Sequence, residues 1–187
     1  MFNKDLLVLD IECTGLDFTK HEIIQIAAIL LDKKTLKEKK RFETYIKPKN
    51  WKARDPEAMA VNNIKWDSLK DAPNMKTVIK EFQEFFGTNL IIAPYGTILD
   101  TLMLRVAYKN NKLKYPFDYH VYDIWPLVYT YMAKKNLLKN RKRFSGFRLD
   151  DAAKHFKIKV GDGRHTALVD CEVEAEVLRH ILKKVKF

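Results

Sequence analysis

The N-terminal quarter of the chain alternates between apolar runs and short polar turns. Residues 6–9 form an apolar run that ends at Asp10, a pattern typical of a strand buried on both faces. Residues 23–31 form a second apolar run, and residues 41–46 predict a third strand that ends before Pro48. Because only short turns separate these runs, the pattern indicates an antiparallel meander.

The rest of the chain shows helical periodicity interrupted by short apolar segments. Apolar residues three and four positions apart predict helices over residues 78–86, 100–108, a segment ending near 132, 149–156, and from about 167 onward. Residues 90–93 and 121–124 predict a fourth and a fifth strand. This order predicts an α/β fold with a mixed five-stranded sheet flanked by helices, and residues 1–187 are expected to form a single domain.

Composition indicates the class of protein and its cellular location. Hydrophobic residues make up 47% of the chain and charged residues 32%, values ordinary for a soluble globular protein. No run approaches the ~18 apolar residues of a membrane span, and the N-terminus lacks a signal-peptide pattern, so no membrane is expected as a partner. The two cysteines, Cys13 and Cys171, are too few for a disulfide framework and wrongly spaced for zinc. We therefore expect a reducing, cytoplasmic location.

The charge balance favours a polyanionic partner. The chain has 35 lysines and arginines against 24 acidic residues, a formal net charge of +11. Such an excess favours nucleic acid, although a lysine-rich proteome would produce the same value. Two basic runs, residues 33–41 and 134–143, each hold six basic residues. Either run could contact phosphates, and a solvated surface is the alternative for both.

Four acidic residues provide candidate chemistry. Asp10 and Glu12 lie two apart at the end of the first predicted strand, so their side chains start on one face. A strand end in solvent would explain this pair alone, but Asp100 follows the fourth predicted strand and Asp170 lies in the last helix. Such positions can converge at the edge of an α/β sheet. Four carboxylates would suit Mg²⁺ or Mn²⁺, and two such ions roughly 4 Å apart can assist phosphodiester hydrolysis.

Three motifs resemble those of the DEDD exonuclease superfamily. The segment LLVLDIECTGLD resembles the first motif, LIIAPYGTILDTLMLRVAY the second, and GRHTALVDCEVEAEVL the third motif of the histidine branch. HEIIQIAAIL and RLDDAAKHFKI extend the similarity over nearly the whole chain. The chain thus resembles the DEDDh exonucleases, a group that contains proofreading subunits of bacterial replicative polymerases and RNase T-like enzymes. The resemblance implies an RNase H-like fold.

The resemblance also implies a role for each matching residue. Asp10 would bridge two divalent ions, Mg²⁺ or Mn²⁺, and Glu12, Asp100 and Asp170 would complete the acidic cluster. His165 would take the proton of the attacking water, a task that suits an imidazole near neutral pH. The segment that would cradle the 3′-terminal nucleotide consists of Thr14, Gly15 and Leu16.

The second motif departs from the family pattern. Relatives usually carry His-Asn where this chain has Tyr95 and Gly96. The missing amide puts in doubt how Asp100 or the substrate is oriented. In metal sites, loss of a group that orients a ligand can lower metal affinity or activity by roughly 10–100-fold. The sequence therefore predicts that Gly96→Asn raises activity, unless glycine is required for its backbone angle. The other histidines, His21, His120, His155 and His180, belong to no cluster and are expected to be surface or packing residues.

These observations predict a 3′→5′ exonuclease that releases nucleoside 5′-monophosphates from single-stranded or frayed 3′ ends. DNA is slightly favoured over RNA because the resemblance is to proofreading-type domains, and a polymerase is a candidate partner. One alternative is a non-catalytic nucleic-acid- or polymerase-binding module that retains the exonuclease fold. A second alternative is an endonuclease with the same metal chemistry.

Overall fold

The computed structural model describes residues 2–138, 147–161 and 166–185. Its strands are β1 (Asp5–Cys13), β2 (Ile23–Leu31), β3 (Glu38–Tyr45) and β4 (Leu90–Ile92). Its α-helices are α1 (Pro56–Asn62), α2 (Trp66–Leu69), α3 (Met75–Phe86), α4 (Thr97–Asn110), α5 (Ile124–Lys134), α6 (Leu149–Phe156) and α7 (Ala167–Lys184). No helix within the described ranges is long and apolar enough to cross a bilayer.

The sheet is mixed, as the sequence predicts. Its strand order is β3-β2-β1-β4. The β1–β2 and β2–β3 pairs are antiparallel, whereas β4 runs parallel to β1. All nine residues of β2 are buried, because β2 is paired on both edges and covered on both faces. The predicted α/β fold with helices flanking the sheet is therefore confirmed.

The described residues form four strands, so the prediction of a fifth over residues 121–124 needs correction. This segment does lie beside β4: the Tyr122 N–H donates to the Ile92 carbonyl at 2.8 Å, and the Ile124 N–H donates to the Pro94 carbonyl at 2.9 Å. The pairing stops there, because Asp123 caps α5 and Ile124 is already its first residue. Residues 121–124 therefore make two strand-like hydrogen bonds beside β4 and then begin helix α5.

Helices cover the two faces of the sheet and determine where the polar residues of β1 point. Leu7, Leu9 and Ile11 pack in one core with α3 and α4. Leu6 and Val8 pack in the other core with α5, α6 and α7. Because successive strand side chains alternate between faces, Asp10 and Glu12 share the α7 face with Leu6 and Val8.

Candidate active site

The open edge of β1 gives its acidic residues space. β4 pairs with β1 only from Asp5 to Leu7, so the last part of β1 extends past its neighbour. Asp10 and Glu12 lie on this extension and are partly exposed, whereas Ile11 between them is buried. The local sequence alternation places two carboxylates on one face, and the shortness of β4 leaves them accessible.

Three carboxylates meet at this point. Oxygen atoms of Asp10, Glu12 and Asp170 all lie within 4.8 Å of one another. Asp170 is 8% exposed and stands in the first turn of α7, where the helix dipole favours negative charge. Three like charges this close repel strongly unless a cation lies among them. An all-oxygen donor set with that charge fits a hard divalent cation such as Mg²⁺ or Mn²⁺.

Asp100 lies beside the three-acid group without belonging to it. It is the fourth residue of α4 and 7% exposed. The backbone N–H of Ile11, the residue between Asp10 and Glu12, lies close enough to this carboxylate to lower its pKa, so Asp100 is next to that part of β1. Burial raises the pKa of Asp100 to about 7, and the negative charge of Asp123 adds to this effect. A cation close to Asp100 would oppose the shift and keep the carboxylate ionised.

Asp123 fixes the start of the helix that carries Asp100. Its carboxylate accepts hydrogen bonds from the backbone N–H groups of Gly96 and Thr97, both at 3.0 Å, and from the Thr97 hydroxyl. The same carboxylate caps α5 through the Trp125 N–H at 2.9 Å. One side chain therefore joins the first turns of α4 and α5. The contact with Gly96 spans 27 positions and has no local signal in the sequence.

The backbone at Gly96 explains part of the departure from the family pattern. Gly96 has φ +104° and ψ 98°, a conformation that residues with a side chain rarely adopt. A Cβ added there would meet no atom within 4 Å, so the obstacle to a side chain is backbone strain and not a clash. This geometry favours the alternative in which glycine is required for its angle, and it weighs against a gain of activity in Gly96→Asn.

The Tyr95 hydroxyl and the Glu174 side chain are two further buried polar groups. The Tyr95 hydroxyl is buried and makes no hydrogen bond within the described part of the chain. Burial raises its pKa, and the negative charge of Glu174 adds to the rise. Glu174 is 3% exposed and lies one helical turn after Asp170. Glu174 has no local sequence signal, because an acid four positions after Asp170 in a charged helix looks like a surface residue.

Residues 14–16 are the segment expected to hold the 3′-terminal nucleotide. Hydrogen bonds of Thr14 connect this segment to neighbouring parts of the protein. The Thr14 N–H donates to the Glu22 carbonyl at 2.9 Å, and its hydroxyl accepts from the Glu22 N–H at 3.0 Å. The Thr14 carbonyl accepts from the Asp55 N–H at 2.7 Å. Asn62, another buried residue that sequence reasoning missed, donates to the Cys13 carbonyl at 3.1 Å. Leu16, in contrast, is 70% exposed.

Some predicted features lie outside the described residues or are structural. His165 and residues 139–146, which include four of the six basic residues of the second run, are not among the described residues. In the first run, Lys39 pairs with Asp5 at 2.8 Å, and Arg41 pairs with Glu38 and Glu172, both at 2.7 Å. These ion pairs weigh against phosphate contacts by Lys39 and Arg41 and favour the solvated-surface alternative for that run.

The two cysteines fit the expectation that they are small core residues. Cys13 is 6% exposed and Cys171 is fully buried. Burial raises the pKa of the Cys13 thiol to about 12, and burial also raises the pKa of Cys171. Neutral thiols at these positions are poor metal ligands.

Comparison with known proteins shows the family. An RNase T family model described as "Exonuclease" matches residues 7–178. The DNA polymerase III epsilon subunit of Rickettsia prowazekii (strain Madrid E) is 30% identical over 178 residues, covering 91% of this chain and 71% of the relative. The PolC-type DNA polymerase III of Bacillus subtilis (strain 168) is 28% identical over 181 residues, which is 95% of this chain but 11% of that polymerase.

A solved structure shows the same fold. The nuclease domain of 3′hExo, a DEDDh family member determined with bound rAMP, matches with a TM-score of 0.75 at 18% identity. The match covers 97% of this chain and 92% of that domain. The match of the family model over residues 7–178 shows that this chain belongs to the exonuclease family.

Proposed function

We propose that this protein is a 3′→5′ exonuclease that hydrolyses the terminal phosphodiester bond of a single strand and releases nucleoside 5′-monophosphates. The observation that carries the proposal is the convergence of Asp10, Glu12 and Asp170 within 4.8 Å, with Asp100 beside them. A module that only binds nucleic acid gains nothing from this arrangement, because clustered carboxylates repel phosphates and one another.

Each acidic residue has a part in the proposed chemistry. Asp10, Glu12, Asp100 and Asp170 would hold two divalent cations, Mg²⁺ or Mn²⁺, which would supply Lewis-acid stabilisation to the attacking and leaving oxygens. The Asp100 carboxylate lies near the Ile11 N–H, beside the end of β1 that carries Asp10 and Glu12. His165 would accept the proton of the attacking water, in keeping with the third motif.

The proposed substrate is a single-stranded or frayed 3′ end. Thr14, Gly15 and Leu16 would hold the terminal nucleotide, and the exposed Leu16 and Phe18 side chains offer apolar surface for bases. The net charge of +11 favours a polyanion. Because relatives include the polymerase III epsilon subunit and PolC, we favour DNA over RNA, a cytoplasmic location, and a polymerase as the protein partner.

The test uses oligonucleotides labelled at either end. Matched single-stranded DNA and RNA, with 5′ or 3′ labels, are incubated with Mn²⁺ or with EDTA, and the products are resolved by length. We expect a ladder that shortens stepwise from the 3′ end with Mn²⁺ and intact strands with EDTA. A circular single strand serves as the control that an exonuclease leaves intact. Cleavage of the circle would identify an endonuclease, and binding without any cleavage would identify a non-catalytic module.

A further inference from the structure

The turn after β1 presents an exposed residue on a rigid support. Leu16 is 70% exposed, so few contacts of its own fix its position. Its neighbours Gly15 and Asp17 must therefore determine where it lies. Both of these neighbours contact one side chain, the imidazole of His21.

Hydrogen bonds link His21 to Asp17 in both directions. The His21 Nδ1 accepts a hydrogen bond from the Asp17 N–H at 2.9 Å. The His21 N–H in turn donates to the Asp17 carbonyl at 2.8 Å. Because Nδ1 is the acceptor, the ring carries its proton on Nε2. The side chain thus closes the turn with a bond that the backbone alone does not supply.

The same ring packs directly against Gly15. A Cβ built on Gly15 would lie 2.2 Å from both Cε1 and Nδ1 of His21. No side chain fits between them, so the ring occupies the space that any other residue at position 15 would need. Gly15 also has φ +157°, which is rare for residues with a side chain. His21 therefore contacts the turn on both sides of Leu16.

We propose that His21 is a positioning residue for the 3′ end of the bound nucleic acid strand. It holds the turn of residues 15–17 so that Leu16 and its backbone face the 3′-terminal nucleotide. This inference rests on the proposed function, since it concerns the same substrate segment. His21 is not in the acidic cluster, so its loss affects the binding of the strand more than the rate of hydrolysis.

Two substitutions separate the hydrogen bond from the bulk of the ring. His21→Phe keeps a ring against Gly15 but removes the Nδ1 acceptor. His21→Asn places an amide oxygen near the Nδ1 position and removes most of the ring. Removing one hydrogen bond changes an equilibrium about 3–10-fold. We expect His21→Phe to raise KM on a single-stranded decamer by that factor, with kcat within about twofold of wild type, and His21→Asn to restore KM. His120→Phe, at an exposed histidine, is the matched control.

A second measurement does not depend on catalysis. Anisotropy of a 5′-fluorescein-labelled oligothymidylate decamer in EDTA gives Kd for each variant, and thermal melts verify that each is folded. A higher Kd for His21→Phe and for Gly15→Ala, which displaces the ring, supports the role. Unchanged Kd and KM in folded His21→Phe, or a fall in kcat without a rise in KM, overturns it. A wild-type protein that binds the decamer but never shortens it would contradict the proposed function while leaving the test of His21 intact.

Discussion

Replacing Asp100 by asparagine should make the metal-free protein more stable while removing its activity. Asp100 is buried, and the negative charge of Asp123 acts on its ionised form. Asparagine has nearly the same shape, and its amide oxygen can accept from the same backbone N–H groups that face the carboxylate. The substitution therefore removes the buried charge and leaves the packing almost unchanged.

The size of the effect follows from the pKa of Asp100. That pKa is raised from 3.8 to about 7 in the folded protein. Since a tenfold change in an equilibrium constant corresponds to about 1.4 kcal/mol, the ionised carboxylate lowers the free energy of unfolding by up to about 4 kcal/mol. Because the pKa of Asp100 is higher in the folded protein than in the unfolded chain, wild type has its full free energy of unfolding below pH 3.8. It loses this contribution as the pH rises from 3.8 through about 7. The difference in free energy of unfolding between Asp100→Asn and wild type should therefore grow over this pH range.

Thermal unfolding in EDTA measures the difference. At pH 8 the Tm of Asp100→Asn should exceed that of wild type by roughly 10 °C, because about 1 kcal/mol shifts Tm by roughly 2–4 °C in a chain of this size. At pH 4.5 the two melting temperatures should lie much closer together. Addition of Mn²⁺ should raise Tm more in wild type than in the variant, because the cation stabilises the ionised carboxylate.

Asp67→Asn is the matched control, since Asp67 has 85% of its side chain exposed. It should change neither the Tm in EDTA nor the response to Mn²⁺. An Asp100→Asn protein that is no more stable than wild type at pH 8 would refute the reasoning. A stability difference that is the same at pH 4.5 and pH 8 would also refute it, because the gain would then not arise from removal of a charge.

Four further predictions address the rest of the site. Asp10→Ala should remove most 3′→5′ activity with a normal thermal melt, and a variant as active as wild type would contradict the metal assignment. His165→Ala should lower kcat by roughly 10²–10⁴-fold with a smaller change in KM, whereas a change confined to KM would make it a binding residue. Gly96→Ala should lower the free energy of unfolding by about 1 kcal/mol in a denaturant titration, because φ +104° strains alanine, and an unchanged midpoint would contradict this. Neutralising four basic residues within 134–143 should flatten the log–log dependence of strand affinity on salt, by about 0.7 for each phosphate that the protein no longer neutralises, and an unchanged slope would assign this run to solvent.

Strongly periodic segments agree with the predictions made from the sequence. The helix expected over residues 78–86 is the core of α3, and the apolar run at 23–31 coincides with β2. β3 begins at Glu38, three positions before its predicted start, because its first half is an exposed edge of charged residues without apolar alternation. An edge strand is held by hydrogen bonds to the strand that it pairs with. Only the second half of Glu38–Tyr45 has partly buried side chains, so only that half shows a strand pattern in the sequence.

For the site, the sequence by itself determined the chemistry. Asp10 and Glu12 share a face because strand geometry repeats every two residues, and the spacing of the third motif places Asp170 in the first turn of a helix. Residues this close in the chain are related by local geometry, which the order of residues specifies. The α/β pattern, in which strand ends meet at one edge of the sheet, and the family resemblance both led to the expectation that these segments would meet.

Only the tertiary structure decided which polar residues support that chemistry. Glu174 is buried because α7 packs against the sheet, and Asp123 reaches Gly96 because residues 121–124 run beside β4. The contact of His21 with Gly15 depends on how the turn after β1 folds back. In each case burial or a hydrogen bond is created by elements that meet in space. The physical reason is that periodicity reports on neighbours along the chain, whereas desolvation and capping depend on whatever packs across from a side chain.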